Sequence, residues 1–235
     1  MRPDRSDGVF ETMLVRDGRI QALGQHLDRL ARSTGALYGS RLPAGIAAQL
    51  HARAGGVAGE HRLRVDVVPG EDIAVTMAPV APGSRRPVTL APLVVPGGLG
   101  PHKWRDRRLL DIVPRYRGAI SGYDGPPTPL LVDADGTVLE AAWGNVWVLD
   151  GDGLLTPPAD GRILPGVTRA LLLELAPSLG LHSREAPISL DRMRAAPVTF
   201  ATSSIRLAVP ASLSGAAAAP AAVVDRIRTA LGAHS

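Results

Sequence analysis

Glycine and proline punctuate this chain closely, with 26 and 21 of them among 235 residues, so every regular element it forms has to be short. Proline removes a backbone donor and glycine adds conformational freedom, so both tend to bound elements rather than sit inside them. Between these breaks, residues 8–15 (GVFETMLV) are apolar and β-prone, and Arg16-Asp17-Gly18 turns them into a second short strand. From Gln25 onward, Leu27, Leu30, Ala31 and Leu37 form an apolar stripe at helical spacing that Gly39 stops, and residues 42–54 read as a second helix. Residues 62–68 (RLRVDVV) alternate polar and apolar, and 73–77 and 87–95 read as further strands. The first half is therefore β-α-α-β-β-β, and residues 95–101 (VPGGLGP) read as a linker.

Beyond the linker, a polar helix is expected over residues 109–115. Two hairpins follow, 130–140 turning at Asp135-Gly136 and 145–156 turning at Gly151 to Gly153. Pro165-Gly166-Val167-Thr168 opens an apolar helix to Leu179, residues 198–209 are extended, and the Ala-rich stretch 215–222 precedes a last helix. The pattern predicts an α/β (α+β) fold of two small domains, 1–96 and 97–235.

At 45% hydrophobic the chain has ample material for a core. The absence of cysteine excludes disulfides, cysteine-ligated zinc, iron–sulfur clusters and thiol nucleophiles. No apolar run reaches the roughly 18–20 residues of a membrane span, and the start, MRPDRSDG, lacks the apolar stretch of a signal peptide. The expectation is a soluble, cytoplasmic protein that binds no membrane. Net charge is a modest +4 and aromatics make up only 3%, too few for a base-stacking platform, so nucleic acid is not expected as a partner. Six histidines are too dispersed to suggest a metal site, and Walker, GxGxxG, GxSxG and HExxH patterns are absent.

Of the 26 basic residues only one is lysine, Lys103, and Asn145 is the only asparagine. In so arginine-rich a chain a surface lysine is replaced at little cost, whereas an amine that bonds covalently to a carbonyl cannot be, so Lys103 is a candidate catalytic residue.

Several stretches fall in a recognisable order: DGVFETMLV (7–15), HLDRL (26–30), KWRDR (103–107), LLVDADGTVLEAAWGNVWVL (130–149), ILPGVTR (163–169) and TSSIRLAVP (202–210). In these the chain resembles the class IV pyridoxal-phosphate aminotransferases. Within that family VFETMLV, GGLGPHKWRDRRLLD and DGRILPGVTR are most similar to aminodeoxychorismate lyases, particularly the form fused to aminodeoxychorismate synthase.

The resemblance implies pyridoxal 5′-phosphate as cofactor, carried by Lys103, in a cleft between the two domains. It implies Glu140 facing the pyridine nitrogen and Asn145 pinning the neighbouring turn. For the phosphate it implies Arg29, the helix start at Val167 and Thr168, and the hydroxyls of Ser203 and Ser204. A substrate with two carboxylates needs further cations, for which Arg206 comes first and Arg64 and Arg107 follow. Asp106 stands where the family usually has Asn, and Ala141 and Gly144 depart from its E-G-x-x-S-N pattern.

The implied reaction converts 4-amino-4-deoxychorismate to 4-aminobenzoate and pyruvate, a step of folate precursor synthesis. The alternatives are transamination of a D- or branched-chain amino acid and, more distantly, a non-catalytic Arg-rich binding protein. A small carboxylate substrate, a homodimer and a synthase partner are the implied associations. The first domain would lack the strands that usually precede GVFET.

Overall fold

A computed structural model describes residues 2–111, 127–213 and 222–233. It divides into two units. Residues up to Ser84 and the segment His102–Arg107 form the first, and Arg85–Pro101 with Arg108–Ala233 form the second. This division differs from the expected boundary at 96/97, because the segment carrying Lys103 belongs with the first unit and the strand before the linker with the second. Backbone pairing is the reason. The Phe10 N–H donates to the Lys103 carbonyl at 2.9 Å and the Arg105 N–H to the Gly8 carbonyl at 3.1 Å, with a bridge between Val9 and Trp104.

The first unit contains β1 (Val9–Arg16), β2 (Arg19–Ile20), α1 (Leu23–Tyr38), α2 (Ile46–Ala54), β3 (Glu60–Val67) and β4 (Ala74–Pro79). Its sheet has the order β2-β1-β3-β4 and is antiparallel throughout. Side chains alternate across β1, so Val9, Met13 and Val15 face Leu30, Leu50, Leu63 and Val65 in a closed core. Burying each such side chain contributes roughly 1.5–3 kcal/mol.

Helix α1 ends at Gly39, whose φ of 64° supplies the left-handed stop. Its buried face, however, is only partly the expected leucine stripe. His26, Arg29, Leu30, Ser33 and Thr34 are buried, while Ala31 is exposed. Helix α2 starts four residues later than expected, after Pro43 and a left-handed Gly45.

The second unit contains β5 (Val88–Val94), β6 (Thr128–Val132), β7 (Val138–Ala141), β8 (Asn145–Asp150), β9 (Gly153–Thr156) and α3 (Val167–Leu175). A 3-10 turn (Ala176–Leu179), β10 (His182–Glu185), α4 (Leu190–Ala195), β11 (Val198–Ser203), β12 (Leu207–Leu213) and α5 (Ala222–Ala233) complete it. One mixed sheet has the order β10-β9-β8-β11-β12-β5-β6-β7, in which β9/β10, β5/β12 and β5/β6 are parallel. Both expected hairpins form, β6/β7 and β8/β9.

The expected helix to Leu179 tightens into a 3-10 turn after Leu175, where Pro177 has no N–H for a regular helical bond. Residues 198–209 are not one extended run, because a turn at Ser204–Arg206 separates β11 from β12 and leaves Leu207 at φ 58°. Strand β10 and helix α4 are additions to the sequence reading. Of the polar helix expected over 109–115, Leu109–Asp111 lie in a turn and the remainder lies outside the described residues, as do 215–221 of the Ala-rich stretch. Among the described residues no helix is long and apolar enough to cross a membrane, and no cluster of metal-ligating side chains occurs.

Candidate functional site

In the first unit the pairing Phe10↔Asp66 and Thr12↔Arg64 puts these four residues on one face of the sheet, and Glu11 on the other with the core. On the first face the Arg64 guanidinium carbon lies 3.8 Å from the centroid of the Phe10 ring, and Lys103 Nζ lies 4.8 Å from it. Two cations thus share one aromatic side chain, an electrostatic attraction worth about 0.5–1 kcal/mol each when partly exposed. Asp66 gathers the arginines. Arg64 Nε and Nη2 donate to its two oxygens at 2.8 and 2.6 Å, and Arg105 Nε donates to Oδ1 at 2.8 Å.

The Lys103 segment is held from three sides, through its backbone pairing to β1, through His102 Nδ1 on Ser33 Oγ at 3.0 Å, and through Asp106. Asp106 Oδ2 accepts the Asp4 N–H at 2.9 Å, a role that needs an acceptor and that the family's usual Asn would also fill. Arg107 sits half-buried in the same segment.

On the core face, Glu11 is 1% exposed and receives Arg29 Nε at 2.7 Å and Arg29 Nη2 at 2.8 Å. His26 Nδ1 lies 2.8 Å from Glu11 Oε2. Burial alone would raise the Glu11 pKa, but Arg29 and the hydrogen bonds from His26 and Arg29 outweigh it and hold the carboxyl at about 2. Burial lowers the His26 pKa, against the pull of Glu11, so the imidazole is neutral and donates Nδ1–H to an acceptor-only carboxylate. Arg29 is therefore no solvated helix-face arginine.

In the second unit, Glu140 on β7 is 8% exposed, and both its oxygens accept the Leu164 N–H at 3.3 Å. Asn145, at the start of β8, donates Nδ2–H to the Leu164 carbonyl at 3.0 Å. The backbone of one residue just ahead of α3, Leu164, is thereby held on both sides, its N–H by Glu140 and its carbonyl by Asn145. A Cβ on Gly166 would meet Asn145 Oδ1, so a side chain there would force the asparagine or the helix start to move, and one on Gly144 would collide with the Thr202 backbone carbonyl, so that position calls for glycine. That close approach accounts for the departure at Gly144.

Strand pairing sets Thr202 opposite Asn145, which brings the Ser203–Arg206 turn beside Gly144 and Trp143. Ser203 Oγ accepts the Arg206 N–H at 3.3 Å, and Ser204 follows it, half-buried. The Arg206 guanidinium carbon stands 4.4 Å from the centroid of the Trp143 ring, whose Nε1–H donates to Thr128 Oγ1 at 3.3 Å. Burial lowers the Arg206 pKa, though an arginine remains charged.

Val167 and Thr168 open α3 and are buried. The residue before them, Gly166, has no side chain to cap the first-turn amides, and those amides with the positive end of the helix dipole favour an anion. Glu140, Asn145, Val167, Thr168, Ser203 and Arg206 thus come together within the second unit, while Lys103, Arg29, Arg64 and Arg107 are carried by the first.

Taken unit by unit, the donor types fit the needs of pyridoxal 5′-phosphate: the second unit offers a buried carboxylate that suits a pyridinium and helix-start amides with hydroxyls that suit a phosphate dianion, and the first carries the one lysine amine and a buried arginine. Three participants escaped sequence reading, namely Glu11, His26 and Asp66. A carboxylate on the core side of an alternating strand, with His and Arg three apart on the following helix, was the available signal.

A family model for amino-transferase class IV matches residues 8–213. A protein of Methanocaldococcus jannaschii, provisionally described as a branched-chain-amino-acid aminotransferase, is 31% identical over 90 residues. That match covers 38% of this chain and 31% of the relative, under a third of its length.

Among solved structures, a hypothetical aminotransferase from Mycobacterium tuberculosis in a PLP-bound form has a TM-score of 0.80 and 24% identity over 98% of this chain and 89% of its own. A protein of Legionella pneumophila, provisionally described as 4-amino-4-deoxychorismate lyase, has a TM-score of 0.82 and 18% identity over 98% and 92%. At such identities the likeness concerns the fold.

Proposed function

The chain belongs to the class IV amino-transferases, a pyridoxal-5′-phosphate-dependent family, and on that premise we propose that it is a lyase acting on 4-amino-4-deoxychorismate. When bound, the cofactor supplies an electron sink beside the substrate nitrogen. Lys103 would hold it covalently in the resting enzyme, and its Nζ, once displaced by the 4-amino group of the substrate, would be the free amine that takes the proton from C4. The bond from ring C3 to the ether oxygen would then break, the ring would become aromatic, and the departing enolpyruvate would take a proton at its methylene carbon to become pyruvate, so no second reactant is needed. Glu140 keeps the pyridine nitrogen protonated. Val167, Thr168, Ser203, Ser204 and Arg29 hold the phosphate, with Asn145 fixing the approach to α3.

The observation that carries the lyase reading is Arg206, a half-buried cation held over the Trp143 ring beside the Ser203–Ser204 hydroxyls. It supplies a positive charge in addition to the phosphate donors, as a substrate with two carboxylates requires. Arg64 and Arg107 are the further cations. In this reading the enzyme works as a homodimer and receives its substrate from an aminodeoxychorismate synthase.

The second reading is transamination, favoured by the match to a protein described as a branched-chain-amino-acid aminotransferase. It uses the same residues, but turnover consumes a keto acid. The two are separated by supplying 4-amino-4-deoxychorismate with no keto acid. The lyase yields equal amounts of 4-aminobenzoate and pyruvate over many turnovers. Turnover of D- or branched-chain amino acids alone, and only with a keto acid, would replace the lyase by the transaminase.

A further inference from the structure

The carboxylate of Glu11 is a local exception that packing does not explain. Its neighbours on the same face of β1, Val9, Met13 and Val15, are all 0% exposed, and the alternation calls for an apolar side chain in its place. A buried ion pair of this kind seldom stabilises more than apolar residues of similar volume would, so its presence points to a role beyond stability.

Geometry supplies that role. His26 and Arg29 stand three residues apart on α1, on one helix face, and both reach Glu11. A guanidinium has five N–H groups. Glu11 takes the edge formed by Nε and one Nη2 hydrogen, which turns Nη1 and the other Nη2 hydrogen away from the carboxylate. The side chain of Arg29 is 6% exposed and that of Glu11 1%, so the fork is fixed in one orientation by its surroundings. His26 in turn occupies Glu11 Oε2 and prevents the carboxylate from rotating about its own axis.

We propose that Glu11 is the positioning residue for the phosphate-binding arginine, locking Arg29 through its Nε–Nη2 edge so that its outer N–H groups meet the cofactor phosphate. This rests on the reading above that Arg29 binds that phosphate. Glu11 does not touch the cofactor and acts only through Arg29. The predicted signature is a loss of preference for the phosphorylated ligand over its unphosphorylated form. A merely structural carboxylate would not change that preference.

The test is titration of the full-length apoprotein with pyridoxal 5′-phosphate and, separately, with pyridoxal. Both ligands can bond to the Lys103 amine, so pyridoxal controls for the lysine, for Glu140 and for folding. Glu11→Gln should weaken pyridoxal 5′-phosphate by about tenfold to a hundredfold, the scale of a charge-assisted hydrogen bond, and leave pyridoxal within about twofold. Arg29→Lys should show the same selective loss, and the double variant no further loss.

Glu11→Asp keeps the charge in the core but is one methylene too short to span both Arg29 donors and His26. It should also lose the preference, and serves if Glu11→Gln does not fold. Retention of the preference in the folded Glu11 variants, with its loss in Arg29→Lys, overturns the proposal and leaves the phosphate reading intact. Retention in Arg29→Lys as well overturns the phosphate reading itself.

Discussion

Asn145 donates its side-chain N–H to the carbonyl of Leu164 at 3.0 Å, and that hydrogen bond joins the first residue of β8 to the segment that leads into α3. The N–H of the same residue, Leu164, is shared by the two oxygens of Glu140. The start of α3 is therefore placed by two polar side chains from the sheet, and a ligand bound at those helix amides is placed with it.

Gly166→Ala tests this placement. A Cβ there meets Asn145 Oδ1, so either the asparagine or the helix start has to move. The expected cost is about 1–3 kcal/mol of stability, seen as a lower Tm, with weaker binding of pyridoxal 5′-phosphate. Unchanged Tm and cofactor affinity would show that the contact carries no constraint.

Lys103→Arg keeps the charge and removes the amine that can bond to a carbonyl. The purified variant should lack the yellow, borohydride-reducible chromophore expected of the wild type, whose reduced cofactor should map to the peptide containing Lys103. Full activity in the variant would dismiss the mechanism.

Glu140→Gln nearly preserves shape and removes the charge. Cofactor should still bind, while turnover falls by about 10² or more because an unprotonated pyridine is a poorer electron sink. Steady-state kinetics on cofactor-loaded protein decide it, and an unchanged kcat would take Glu140 out of the chemistry.

If Arg206, which lies over the Trp143 ring, serves the substrate as proposed, Arg206→Ala should raise KM for 4-amino-4-deoxychorismate more than it raises the Kd for the cofactor. Equal effects on both would move Arg206 into the phosphate site.

Acid unfolding reports on Glu11. Its folded pKa of about 2 lies below the ordinary 4.5, so its stabilisation is present above pH 4.5 and is lost as pH falls towards 2, on the order of 3 kcal/mol in all. His26, held neutral by burial, adds loss in the same direction below pH 6.5. Denaturant titrations from pH 7 to 2 should show the Glu11→Gln variant, less stable at neutral pH, losing less on acidification than the wild type. Parallel curves would contradict the buried pair.

Local pattern was enough for much of the chain. The β-prone apolar run GVFETMLV, the alternation in RLRVDVV, the turns at Asp135-Gly136 and Gly151 to Gly153, and the stop at Gly39 each depend on neighbours within a few residues, and these elements form as the sequence predicts. The candidate residues were legible because the stretches carrying them stand in a recognisable order, with Lys103 and Asn145 each unique in their type.

Tertiary structure alone decided what those residues touch. It assigned the Lys103 segment to the first unit through hydrogen bonds to β1, about ninety residues earlier, and no local pattern reports a pairing at that separation. It buried a polar face of α1 where the leucine spacing predicted an apolar one, because Glu11 on the facing strand offers His26 and Arg29 the partner that makes burying them tolerable. It broke residues 198–209 at the turn that holds Arg206 over Trp143. Propensity and spacing are properties of adjacent residues and can be read along the chain. The partners of a buried charge come from distant segments, so only the folded chain determines them.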